Sequence, residues 1–268
     1  MSITTSYQDL NNIFNHNIRA KDLAEFLVSF DYDQPAKSVK EVVKGKGFTV
    51  VGVRKEGGVI GYVITEELKD NSILADCMKE INDENEINEN EGIMETLNKL
   101  KEKDYYFVKI LNHYGGIVTR SDIKKISFRL WVYGTISIFE ILLLDILRLQ
   151  NHNKNSLTEL LPKSRIEYAK KIFKLREEKD EFIDFLECLQ LTDKLGICIL
   201  KNKSILANLN LTVIEAQSLM HKIEYLRNQI AHGNDYDNLD FDEFHKILKF
   251  IHNFIEKFEN DELDYLLN

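Results

Sequence analysis

Two stretches of the chain repeat one another at a spacing of about 55 residues, and this duplication limits the fold more than any other feature. Gly47–Leu68 reads GFTVVGVRKEGGVIGYVITEEL, and Asp104–Ile123 reads DYYFVKILNHYGGIVTRSDI. Each gives an apolar strand, a turn with paired glycines, a second strand and a polar helix start. Gly61-Tyr-Val-Ile-Thr-Glu-Glu-Leu aligns with Gly116-Ile-Val-Thr-Arg-Ser-Asp-Ile. Ile93, Leu97 and Leu100 predict a helix between the copies, and Val39, Val42 and Val43 predict one before the first. Each copy therefore reads helix–strand–strand–helix. One such unit cannot cover both faces of its sheet, but two packed together can.

After Ser127 the pattern becomes helical. Phe128–Leu149 is strongly apolar. Ile166, Ala169, Ile172 and Leu175 mark a second helix, and Phe182, Phe185, Leu186 and Leu189 a third. Thr212 with Glu215 forms a capping box opening a helix whose apolar face carries Val213, Ala216, Leu219, Met220, Ile223, Leu226 and Ile230. Gly233 is a natural stop. Asp240 caps a last helix striped by Phe244, Ile247, Leu248, Ile251, Phe254, Ile255 and Phe258. The only prolines are Pro35 and Pro162, so long helices go unbroken. The expected class is α+β: a tandem α/β repeat over residues 1–126, then an all-α bundle over 127–268. No flexible linker separates the halves, so mechanical coupling is expected.

Composition narrows the function classes. Cys77, Cys188 and Cys198 are far apart with no CxxC spacing, which suits a reduced cytoplasmic protein without a disulfide frame or zinc site. His16, His113, His152, His221, His245 and His252 give no metal-ligand spacing either. The start, MSITTSYQDL, lacks the basic and apolar runs of a signal peptide. Leu130–Leu147 is apolar but contains Glu140 and Asp145, each costing about 3 kcal/mol at a bilayer centre, so a core helix rather than a membrane partner is expected. The net charge of −9 speaks against nucleic acid, yet it is unevenly spread. Residues 80–95 hold seven acids and no base, whereas residues 163–176 hold six bases and one acid. That basic helix is a candidate guide for phosphates, although a solvated face explains it as well.

Gly116-Ile-Val-Thr119-Arg-Ser-Asp122 places a hydroxyl at a strand end and a carboxylate three residues on, at a helix start. Free helix N–H groups attract phosphate, Thr119 can donate to it, and Asp122 can accept from two ribose hydroxyls. Thr119 as an N-cap and Asp122 as a first-turn acid explain the same residues structurally. Both copies resemble CBS repeats, whose second strand commonly ends in Gly-apolar-apolar-Thr/Ser-x-x-Asp; the similarity covers residues 36–126. The resemblance implies a paired module binding adenosine-type nucleotides between repeats, with Thr119 at the phosphate and Asp122 at the ribose. The first copy departs from it. Ile64 stands where the hydroxyl belongs and Glu67 replaces the acid, so one working site is expected, although Glu67 can still reach a ribose.

Arg227, Asn228 and His232 gather where a helix ends. A five-residue offset leaves about 140° between Arg227 and His232 at about 100° per residue. They converge if the chain unwinds near His232 or if two subunits meet. Dipole and C-cap preferences explain the same residues without function. The string is similar to the Arg-x4-His signature of the HEPN family. That resemblance covers residues 127–268, with only the motif specific. It implies a homodimer with both motifs in one cleft, and in many members endoribonuclease activity that needs no metal cofactor. An imidazole moves protons near neutral pH and a guanidinium holds phosphate oxygens. Asn228 can orient His232 or the phosphate, and Glu140, inside the most apolar helix, pairs with Arg227 or lines the cleft. SFRLWVYGTISIFE and LECLQLTDK add to the resemblance with bacterial proteins that join the two domains. The expected function is a nucleotide-regulated endoribonuclease acting on RNA, with a possible defence or stress role. The alternative is a catalytically silent, nucleotide-responsive scaffold.

Overall fold

The computed structural model describes residues 13–14, 17–150, 154–233 and 239–259. His16, His152 and the side chain of Phe258 lie outside the described residues. The chain divides into two compact units, one of Asn15–Arg129 and one of Met1–Phe14 with Leu130–Asn268. The division falls between Arg129 and Leu130, and Ile13 and Phe14 group with the helices.

In the repeat unit a short arm, α1 (Ala20–Leu23) and β1 (Glu25–Phe26), precedes the first copy. That copy comprises β2 (Ser29–Asp31), α2 (Ala36–Val43), β3 (Val50–Lys55) and β4 (Gly58–Ile64). A second arm, α3 (Leu74–Cys77), leads to β5 (Glu86–Asn88), α4 (Ile93–Glu102), β6 (Tyr105–Ile110) and β7 (His113–Thr119). In each copy the first two strands are parallel across the helix, and the last two form an antiparallel hairpin. The hairpins are in register at the sequence spacing, Val50 matching Tyr105 and Gly58 matching His113. Even the β-bulge recurs, between Val53 and Arg54 and between Val108 and Lys109.

Three expectations need correction. Each copy begins with a strand, and at three residues β2 and β5 are too short to show alternation. Each copy ends in a single 3-10 turn, Thr65–Glu67 or Arg120–Lys124, rather than a full helix. The glycine pairs are not equivalent turns. The two-residue hairpin loops are Glu56-Gly57 and Leu111-Asn112, all at positive φ as a type I′ turn requires, while Gly115 and Gly116 lie inside β7.

The copies exchange their arms. β1 pairs antiparallel with β7, Glu25 opposite Ile117, and Lys79 pairs in the same way with Tyr62 of β4. Each arm passes over a glycine. A Cβ on Gly61 would meet the Lys79 carbonyl oxygen at 2.5 Å, and one on Gly116 would meet Ala24 Cβ at 3.1 Å. Alternation along the strands then builds two cores. Val51 and Val53 pack with Val39, Val43, Val63 and Leu74, while Val50 joins Leu27, Ile81 and Phe107 between the copies. The acidic stretch folds as part of this unit: Ile81, Ile87 and Ile93 are buried, and Glu86 accepts a hydrogen bond from Tyr114 Oη at 2.6 Å.

The helical unit is built on α5 (Ile126–Leu149), which by length and composition alone could cross a membrane. Its most apolar window is 67% buried within the protein, through residues such as Trp131, Phe139 and Leu143. It is followed by α6 (Lys154–Leu160), α7 (Lys163–Glu177) and α8 (Leu191–Leu195), the last running into a π-helical turn, Gly196–Leu200. Then come α9 (Lys203–Asn208), α10 (Val213–Ala231) and α11 (Phe241–Glu259). The stripe of α11 is buried from Phe244 to Ile255, and Phe254 meets Phe139 edge-on at 5.0 Å. Thr212 and Glu215 form the capping box, and Glu243 N–H donates to Asp240 at 2.7 Å. The helix expected over Phe182–Leu189 is only a 3-10 turn, Phe185–Cys188. Asp184 takes the Leu186 N–H at 3.1 Å, and Phe182 is fully exposed.

Candidate functional site

In the repeat unit Thr119 closes β7 opposite Tyr105, and the chain turns at once into the 3-10 turn carrying Asp122. Asp122 is buried, and both of its oxygens have partners, with acceptor capacity left on Oδ1. Its Oδ2 accepts from Thr119 N–H at 2.6 Å and from Thr119 Oγ1 at 3.0 Å, and its Oδ1 pairs with Lys125 Nζ at 2.8 Å. Lys125 also donates to the Leu23 carbonyl oxygen at 2.5 Å, tying the first arm to this turn. The structural role weighed for Thr119 and Asp122 is therefore present. Ser121 Oγ stands 2.7 Å from Thr119 Oγ1 and places a second hydroxyl beside the carboxylate. Sequence reasoning passed over Ser121 and Lys125, though both lie within or beside the motif. A cleft of about 150 Å³ opens here, lined by Thr119, Ser121, Asp122 and Ile117, by the first arm at Glu25–Val28, and by Gly47–Val50.

The corresponding place in the first copy carries different side chains. Glu67 pairs with Lys79 at 2.7 Å, and the rings of Tyr62 and Tyr105 lie edge to face at 6.1 Å. Burial and the neighbouring Tyr62 hold the Tyr105 phenol well above its ordinary value, so it stays protonated at neutral pH. Tyr62 also tilts against Phe107 at 4.8 Å. Ile64 packs against the same apolar cluster.

In the helical unit Arg227 and Asn228 lie on the last turns of α10, half-buried, with Arg227 Nη1 donating to Asn228 Oδ1 at 3.0 Å. His232 is the exposed C-cap residue, and Gly233 follows at φ +69. The helix does not unwind before His232, whose N–H still donates to the Asn228 carbonyl oxygen at 3.1 Å. Within one chain Arg227 and His232 therefore keep their separation of about 140° around the axis. Glu140 does not pair with Arg227. Its Oε1 accepts from Lys194 Nζ at 2.8 Å, and Lys194 is buried. Beside that pair, Arg165 donates to Asp193 at 2.7 Å and to Thr192 at 3.1 Å, and Thr192 donates to Glu224 at 3.1 Å. Arg176 is held by Glu181 at 2.6 Å, and Lys163 and Lys174 stand 4.0 and 3.9 Å from Glu167 and Glu178, so with Arg165 four of the six bases of the basic helix face an acid within the fold.

No family model matches the chain, and no curated protein does. Among solved structures, it resembles a hemolysin-like protein containing a CBS domain from Oenococcus oeni (14% identity, 44% of this chain and 95% of that one, TM-score 0.34). It also resembles a CBS domain-containing protein of unknown function from Bacillus anthracis (17%, 42% and 94%, TM-score 0.35). A third is the CBS domain of a bacterial CNNM/CorC family Mg2+ transporter in complex with ATP (13%, 40% and 85%, TM-score 0.34).

Proposed function

We propose that the repeat unit receives an adenosine-type nucleotide at Thr119 and Asp122 and thereby regulates the helical unit. The observation that carries this reading is the asymmetry between two equivalent places in a duplicated fold. One is an open cleft bearing two hydroxyls and a carboxylate; at the other no hydroxyl stands at Ile64, Glu67 is drawn into a pair with Lys79, and Tyr62 lies against Tyr105. A ribose offers two vicinal hydroxyls as donors, and Asp122 is the acceptor beside them. The resemblance of the motif to CBS repeats gives the ligand class.

The output we assign to the helical unit is cleavage of RNA by a homodimer. The 2′-hydroxyl attacks the adjacent phosphorus, the bond to the 5′-oxygen breaks, and a cyclic phosphate forms. His232 moves the proton, Arg227 holds the phosphate oxygens as charge builds, and Asn228 positions Arg227. Because α10 stays wound to its end, the pairing of Arg227 with His232 has to come from two copies. A second reading, a catalytically silent scaffold, is favoured by the donation of Arg227 to its own neighbour Asn228.

The two separate on one experiment. The full chain is incubated with mixed RNA, with and without ATP, beside His232→Ala and Arg227→Ala. The nuclease reading expects cyclic-phosphate products from wild type that each variant loses by 10²-fold or more, the typical worth of positioned proton transfer. Intact RNA under every nucleotide condition supports the scaffold.

A further inference from the structure

The cleft at Asp122 is small for a whole nucleotide, since pockets for such ligands run to about 300–1,000 Å³. On the first copy lies a larger cavity of about 560 Å³, and Gly47, Phe48 and Thr49 line both. Its wall on α2 and the following residue presents Lys37, Lys40 and Lys44, spaced i, i+3 and i+7, so the three ammonium groups rise from one helix face. Val43 and Phe48 form an apolar floor, and Thr49 and Thr65 lie on the rim. Acids are present too. Asp70 is 3.7 Å from Lys40, which also donates to the Leu68 carbonyl oxygen at 3.3 Å. Glu41 and Glu66 lie on the lining as well. The side chains of Lys37 and Lys44 are exposed and have no hydrogen-bond or ion-pair partner among the described residues.

We propose that this cavity is a phosphate-group site in which Lys37 and Lys44 are the anion ligands and Lys40, fixed by Asp70 and Leu68, orders the helix face between them. The inference rests on the nucleotide reading only for one source of the phosphate, the polyphosphate tail of a nucleotide whose ribose sits at Asp122. The other source is a separate phosphorylated molecule. In either case the shared Gly47–Thr49 segment links occupancy of the cavity to that of the cleft.

The test measures binding to the full chain by calorimetry with ATP, AMP and sodium tripolyphosphate, in wild type, Lys37→Ala/Lys44→Ala and Asp122→Ala. Both lysines are exposed, so their truncation leaves the fold intact, and circular dichroism checks this. A single charge-assisted hydrogen bond is worth about tenfold. Wild type is expected to bind ATP at least about tenfold more tightly than AMP, with the double variant reducing ATP to the level of AMP. If the phosphate belongs to a separate molecule, tripolyphosphate binds wild type and Asp122→Ala alike, and the double variant loses it. ATP binding no tighter than AMP, with no tripolyphosphate binding, overturns the phosphate site while leaving the nucleotide reading intact. Absence of binding by all three overturns both.

Discussion

The Glu140–Lys194 pair allows a quantitative prediction that separates a structural from a catalytic role for Glu140. Lys194 has a side chain only 6% exposed and meets Glu140, 28% exposed, at 2.8 Å. Removing one partner of a buried pair costs about 3–5 kcal/mol because the other charge is left without compensation. Glu140→Leu leaves the ammonium in the interior and should fall in that range. Lys194→Met leaves a carboxylate already near water and should cost about 1–2 kcal/mol, the lower range for an uncompensated polar group. The double variant replaces both charges by apolar groups and should lie within about 1 kcal/mol of wild type. Urea unfolding followed by fluorescence of Trp131 suits the measurement. It is the only tryptophan of the chain, is buried, and lies on the same helix as Glu140. Single-variant losses that add up in the double, or a Glu140→Leu loss below about 1 kcal/mol, would refute the argument that this carboxylate holds α8 to α5.

Other consequences follow from single contacts. Thr212→Ala should destabilise α10 by about 1 kcal/mol, the usual worth of an N-cap, measured by thermal unfolding. Hydrogen bonds from Thr212 hold the Glu215 carboxyl below its ordinary value of 4.5, so its contribution is present above pH 4.5 and lost as pH falls through the lowered value. In Glu215→Gln that part of the acid limb should vanish. Gly61→Ala should cost about 1–3 kcal/mol through overpacking against Lys79, and should expose the second arm to proteolysis. Burial, then the hydrogen bond to Glu86, pushes the Tyr114 phenol up to about 12. Its contribution is full below pH 10 and lost as pH rises through 12, so Tyr114→Phe should remove one late-titrating group from the alkaline absorbance curve.

The duplication could be read from the sequence because the hairpins keep one spacing down to the bulge, and Gly61 and Gly116 are both demanded by a crossing arm. The caps at Thr212 and Asp240 were equally readable, being local in sequence. The arm exchange was not. β1 is two residues long, and its partner β7 lies some ninety residues away, so no periodicity announces it. The Glu140–Lys194 pair escaped for a related reason: an acid in an apolar helix signals that a partner exists but not which one. Phe182 shows the opposite failure. Its apolar spacing suggested a helix, but Asp184 supplied a competing turn.

Calorimetric titration of adenosine nucleotides into wild type, Asp122→Asn and Glu67→Gln bears most directly on the sensor reading. Binding at one site per chain is expected, lost in Asp122→Asn and retained in Glu67→Gln. Equal loss in the two variants, or two equivalent sites per chain, would contradict the asymmetry on which the reading stands.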